Sequence, residues 1–177
     1  DISEFNTVTD WNAVKASGID YVILRGGFRW SRSGIIQIDE RFQQYIQGAL
    51  AAGLEVGVYF YTEATTPQEA VEEANALLSW VAPYSGQITL PLAIDFEFTN
   101  QGRLYDTCMN IYNTQGKYAA RAHGTAICQA FCQTIANAGY TPMVYADRNR
   151  LENCLYASQL EQIAKIWVAS WDTFTTY

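Results

Sequence analysis

Two carboxylates, Asp95 and Glu97, close the strand-forming run Leu90-Pro91-Leu92-Ala93-Ile94-Asp95-Phe96-Glu97-Phe98. In a β-strand alternate side chains point to opposite faces, so the acids share one face with Ala93 while Leu92, Ile94, Phe96 and Phe98 share the other. Neighbours two apart along a strand lie roughly 7 Å apart at Cα, the separation range in which paired carboxyl groups cut glycosidic bonds. Acids on a solvated strand end would merely face water. The wholly apolar opposite face has to be covered, however, and that argues for a buried central strand.

Little else in the chain has the pattern of a reactive centre. His123, the only histidine, lies in the polar approach to a helix and reads as a solvated surface residue rather than a nucleophile's partner. Cys108, Cys128, Cys132 and Cys154 form no metal-type C-x-x-C pair, so no metal site is expected. They read as small buried hydrophobes on helix faces, with a disulfide to Cys108 or Cys154 as the alternative. No G-x-G-x-x-G or P-loop glycine pattern follows a strand, which leaves nucleotide binding without support. A net charge of −7 and a pI near 4.6 argue against a nucleic-acid partner or an anionic membrane surface. No apolar run approaches the roughly 20 residues that span a bilayer. With 12 Tyr and 5 Trp the chain has aromatic faces on which sugar rings can stack, although many aromatics serve as core.

The elements that must position the acids alternate in type. Asp1-Ile2-Ser3 reads as a strand fragment, Tyr21 to Arg25 as a buried strand closed by Gly26-Gly27 and a polar loop, and Glu55 to Thr62 as a strand with Tyr59 and Tyr61 on one face. Helices are expected from Thr9 to Gly18, after Asp39 up to Gly53, from the Thr66-Pro67-Gln68-Glu69 capping box to about Trp80, from about Thr125 to Gly139, and near Leu155 to Ile163. Thr99 to about Ala119 reads as a long irregular loop. Pro142 to Tyr145 and Ile166 to Trp171 supply the fifth and sixth strands. Alternation of this kind implies a parallel sheet with right-handed crossovers, either open or rolled into most of a barrel.

Read in order, the chain resembles the family 25 glycoside hydrolases, lysozyme-like N-acetylmuramidases. The matching pieces are Asp1-Ile2-Ser3 with Asn6, Gly18 to Arg25, Ala51 to Tyr61, Leu90 to Glu97, Phe131-Cys132 through Ala138-Gly139-Tyr140, and Trp167-Val168-Ala169. The resemblance implies a single catalytic domain over 1–177, an α/β fold of the modified TIM-like β/α barrel type with parallel strands alternating with helices. It implies hydrolysis of the β-1,4 bond between N-acetylmuramic acid and N-acetylglucosamine in bacterial peptidoglycan, with retention and without metal or other cofactor. Its carboxylates fall on Asp1, Asp95 and Glu97. Glu97, with the longer stem and the outer position among tyrosine rings and beside Asp95, is expected to be the general acid, and Asp95 to stay ionised, either orienting the substrate's 2-acetamido group as nucleophile or attacking directly. Tyr59, Tyr61 and Tyr145 match its aromatic lining, and Trp171 is a further candidate for substrate contact. A monomer acting outside the cell or at the cell wall is expected, with peptidoglycan as partner and no nucleic acid or membrane insertion.

Some features depart from the family pattern. Members finish with two further strands and another aspartate, whereas this chain stops at Thr176-Tyr177, short of the roughly 200 residues at the low end for a closed eight-stranded barrel. The expectation is therefore a barrel lacking its last two strands, its carboxyl end truncated. Glu63 and Asn149 stand where aromatics are frequent in relatives. A chitinase-like reading fails because Leu90 and Ala93 occupy positions where that family needs aspartates. The alternative function is a non-catalytic peptidoglycan-binding module on the same scaffold.

Overall fold

The computed structural model describes residues 1–169. Its centre is a six-stranded sheet of order β2-β1-β3-β4-β5-β6. Strands β1 (Tyr21–Arg29), β3 (Glu55–Tyr61), β4 (Leu92–Asp95), β5 (Pro142–Asp147) and β6 (Lys165–Ala169) are parallel. The short β2 (Ile36–Ile38) returns antiparallel along β1. Because the parallel strands are laid down in chain order, right-handed crossovers put every connecting helix on the same face, as in β/α barrels and unlike doubly wound sheets.

On that face Val22, Leu24, Val56, Val58, Phe60, Leu92, Ile94 and Val144 join the core under α2 (Phe42–Ala51), α3 (Pro67–Val81) and α5 (Lys117–Asn137). Thr66 caps α3 by accepting from the Glu69 amide, with Pro67 at the first turn, as the capping box predicts. The four cysteines are free thiols, three of them buried. No helix among the described residues is long and apolar enough to cross a membrane.

The structure departs from the expected elements in several places. The first strand fragment reduces to one parallel bridge, Ile2 to Leu24, on the edge of β1 that β2 covers further along. Strand β1 does not close at Gly26-Gly27 but runs through both to Arg29. A side chain at Gly27 would collide with the Gln37 carbonyl and the Trp80 ring, so glycine here permits close packing inside a strand. The expected loop after Glu97 is largely helical, with α4 (Arg103–Gln115) followed directly by α5. Helix α4 is mostly polar and buries only Leu104 and Cys108, which is why its composition reads as a loop. Its amino end is satisfied from a distance: the buried Glu63 accepts from the Leu104 amide at 2.9 Å. His123 is not simply solvated; its Nε2 lies 2.8 Å from the Thr65 carbonyl oxygen, joining α5 to the start of α3.

Candidate active site

Asp95 ends β4, and strand register decides what surrounds it. Tyr61 on β3 and Tyr145 on β5 are its partners on either side, and Phe28 on β1 and Trp167 on β6 extend the row outward. Register partners in a sheet share a face, so Phe28, Tyr61, Asp95, Tyr145 and Trp167 form one row on the face turned away from the helices. Tyr145 meets Trp167 edge-on, with ring centroids 4.6 Å apart. Tyr59 lies two residues below Tyr61 on the same face, opposite Arg25 in the register.

Asp95 is 7% exposed, and its Oδ1 has no hydrogen-bond partner. Burial first, and then the charge of Glu97, push its carboxyl well above the usual carboxylate range, against the opposing pull of Arg25 and Arg150. That direction runs against the expectation that Asp95 stays ionised, since it favours the neutral form of its carboxyl. Strand parity set the two acids side by side, but it carried no information about which one the tyrosine rings enclose.

Glu97 lies just beyond the strand and is only half-buried. Tyr145 on the neighbouring strand lies close to it, and burial together with the charges of Glu97 and Asp95 pushes this phenol up to about 12. The Tyr61 hydroxyl lies 2.7 Å from Thr99 Oγ1, and burial pushes its phenol up to about 12 as well. Tyr59 is buried, which raises its phenol strongly, with Asp95 as the next cause. All three phenols thus stay neutral around the acids.

Two cations frame the pair. Arg25 donates from Nε to Asp39 Oδ2 at 2.8 Å and from Nη2 to Glu4 Oε1 at 2.7 Å. Arg150 pairs with Asp147 and lies over the Phe98 ring, 5.2 Å from its centroid, while Asp147 caps the short helix α6 (Arg148–Asn153). Neither arginine stood out in the sequence as part of the site. Arg25 had a usable signal, since it ends an apolar strand on the face of Tyr59. Phe28 was hidden for a geometric reason: the irregularity between Arg25 and Gly27 shifts the register by one and turns Phe28 to the acid face.

Asp1 is placed differently from the other predicted site residues. It precedes the Ile2–Leu24 bridge, is exposed, and lines a cavity of about 920 Å³ with Ile23, Pro91, Met143 and Trp167. Asp95 and Glu97 are not part of that lining, and Trp167 is the wall between this hollow and Tyr145. Trp171 lies outside the described residues. Among the described residues no cluster of three or more His, Cys, Asp or Glu side chains is arranged to hold a metal ion.

Comparison with known proteins supplies a frame for this arrangement. The autolytic lysozyme of Clostridium acetobutylicum is 27% identical over 106 residues, covering 57% of this chain and 31% of the relative, so the chain spans about a third of the length of that protein. A modular autolysin from Streptococcus pneumoniae, solved with a synthetic peptidoglycan ligand, superposes with a TM-score of 0.77 at 20% identity over 99% of this chain and 38% of its own. A family 25 glycosyl hydrolase from Bacillus anthracis gives 0.72 at 18% identity over 99% and 70%. These structures establish the shared fold. The model of the family described as glycosyl hydrolases family 25 matches residues 1–176, a span that takes in every element and both acids described above, and the chain belongs to that family.

Proposed function

We propose that this chain hydrolyses the β-1,4 bond between N-acetylmuramic acid and N-acetylglucosamine in peptidoglycan, with retention, at the cell wall or outside the cell. The observation that carries the reading is the unequal setting of two neighbouring carboxyls: Asp95 enclosed with one oxygen unpartnered, Glu97 half-buried just beyond the strand end.

Burial, and then the charge of Glu97, push the Asp95 carboxyl up, so while the site is empty its neutral form is favoured. A glycan seated on the row brings a 2-acetamido N–H to the free Oδ1 of Asp95. A hydrogen bond to the charged form favours that form, so the negative charge settles on Asp95 and the proton is left with Glu97. Glu97, longer and further out, then protonates the leaving oxygen as general acid. The acetamido oxygen, oriented by Asp95, closes on the anomeric carbon from the opposite side, and water activated by Glu97 opens the resulting ring with net retention. Tyr59, Tyr61 and Tyr145 exclude water and line the sugar site. Asp1 is assigned as a third carboxylate by family resemblance alone.

The test is release of reducing ends from purified cell walls. Release that falls at least ~100-fold in Glu97→Gln supports the hydrolase. Binding of the walls without release by the parent protein contradicts it and favours a non-catalytic binding module.

A further inference from the structure

We propose that Trp30, braced by Phe28, is an outer platform on which a further N-acetylated sugar ring of the glycan stacks. The strand would then run from Trp167 over the acids and out onto the β1–β2 hairpin. This rests on the hydrolase reading above.

The row through Asp95 does not stop at Tyr61. Phe28 stands in it two strand spacings from Asp95, about 10 Å. Trp30 follows just past the end of β1 and meets the Phe28 ring edge-on, centroids 5.0 Å apart at 77°. The Trp30 side chain is 48% exposed, yet it is held from several directions. Its Nε1–H donates to Gln37 Oε1 at 2.8 Å, its amide donates to the Ile35 carbonyl at 2.9 Å, and the Gly34 amide donates to its carbonyl at 3.0 Å.

Both neighbours of the indole are fixed in turn. The Phe28 ring packs on the Arg25 guanidinium, 4.9 Å from its centroid, and Arg25 is tied to Asp39 and Glu4. Arg29, between the two aromatics in sequence, points the other way into the protein, where it is paired with buried Glu73 at 2.8 Å and donates to the Gly34 carbonyl at 2.9 Å. The hairpin is therefore anchored to α3, and the exposure of the indole is not looseness. An exposed but immobilised apolar plane, with a polar edge already satisfied, suits the C–H face of a pyranose and costs little ordering on binding. Continuity with the row that carries Asp95 makes the occupant the same glycan rather than a separate protein partner.

The experiment measures steady-state cleavage of glycan strands of increasing length by the parent protein, Trp30→Ala and Trp30→Phe. On strands long enough to reach the hairpin, Trp30→Ala should raise KM roughly 3- to 10-fold more than on the shortest fragment cleaved. Trp30→Phe, which keeps a ring, should recover most of the difference. Equal length dependence in the parent protein and Trp30→Ala overturns the platform. Failure of the parent protein to cleave any strand would instead overturn the hydrolase reading. Oxidative footprinting of the unmodified protein then decides the platform without a variant: protection of Trp30 by glycan strands supports it, and unchanged labelling overturns it.

Discussion

Tyr145 faces Asp95 across the β4–β5 register, and its phenol is raised by the charge of Glu97, two residues further along, as well as by that of Asp95. The phenol is therefore placed to hydrogen-bond the outer acid during turnover from a neighbouring strand. Tyr145→Phe keeps the ring against Trp167 and removes only this bond. A bond of that kind contributes about 1 to 1.5 kcal/mol net, so kcat should fall by roughly tenfold with a smaller change in KM. Steady-state kinetics on cell-wall glycan checks this, and an unchanged kcat would show that the phenol hydroxyl takes no part in turnover.

Asp95→Asn should separate stability from activity. The folded-state carboxyl of Asp95 lies above its ordinary 3.8 because burial and Glu97 disfavour its charge. The unfolded chain ionises first as pH rises, so this group's contribution to stability is fully present below about 3.8 and is lost as pH climbs toward the raised folded value. Asparagine cannot ionise. The variant should gain on the order of 1 kcal/mol at neutral pH and lose the corresponding slope, while turnover collapses. Urea denaturation from pH 4 to 8 reads both, and equal slopes in the two proteins would contradict the burial argument.

Beneath the hairpin, Arg29 and Glu73 form a buried ion pair at 2.8 Å, with Thr62 Oγ1 donating to the other Glu73 oxygen at 2.6 Å. Glu73→Ala leaves the guanidinium enclosed without its main counter-charge, a loss of about 3 to 5 kcal/mol. Urea midpoints at pH 7 measure it. A loss below 1 kcal/mol would mean that Glu69 and Glu72, which also approach Arg29, suffice.

The acid pair, its apolar opposite face and the strand-helix rhythm were legible in the sequence, because period-two patterning and capping signals are local. What escaped depended on long-range geometry. Strand β1 continues through two glycines because Trp80 and the Gln37 carbonyl crowd Gly27, and nothing near that position in the chain announces it. Helix α4 was hidden because Glu63, 41 residues before Leu104, completes its amino end. The enclosure of Asp95 rather than Glu97 is set by Tyr59 and Tyr61 from another strand, so side-chain spacing along β4 could not reveal it.

Glu97 as the group that protonates the leaving sugar is the central claim, and the pH–rate profile of Glu97→Gln tests it most directly. Glutamine keeps the shape but has no proton to transfer. Release of reducing ends from cell walls should fall by ~100- to 10,000-fold, the limb of the profile that reports the essential acid should disappear, and glycan binding should persist. A Glu97→Gln protein that clears cell walls near the parent rate with that limb intact would contradict the account.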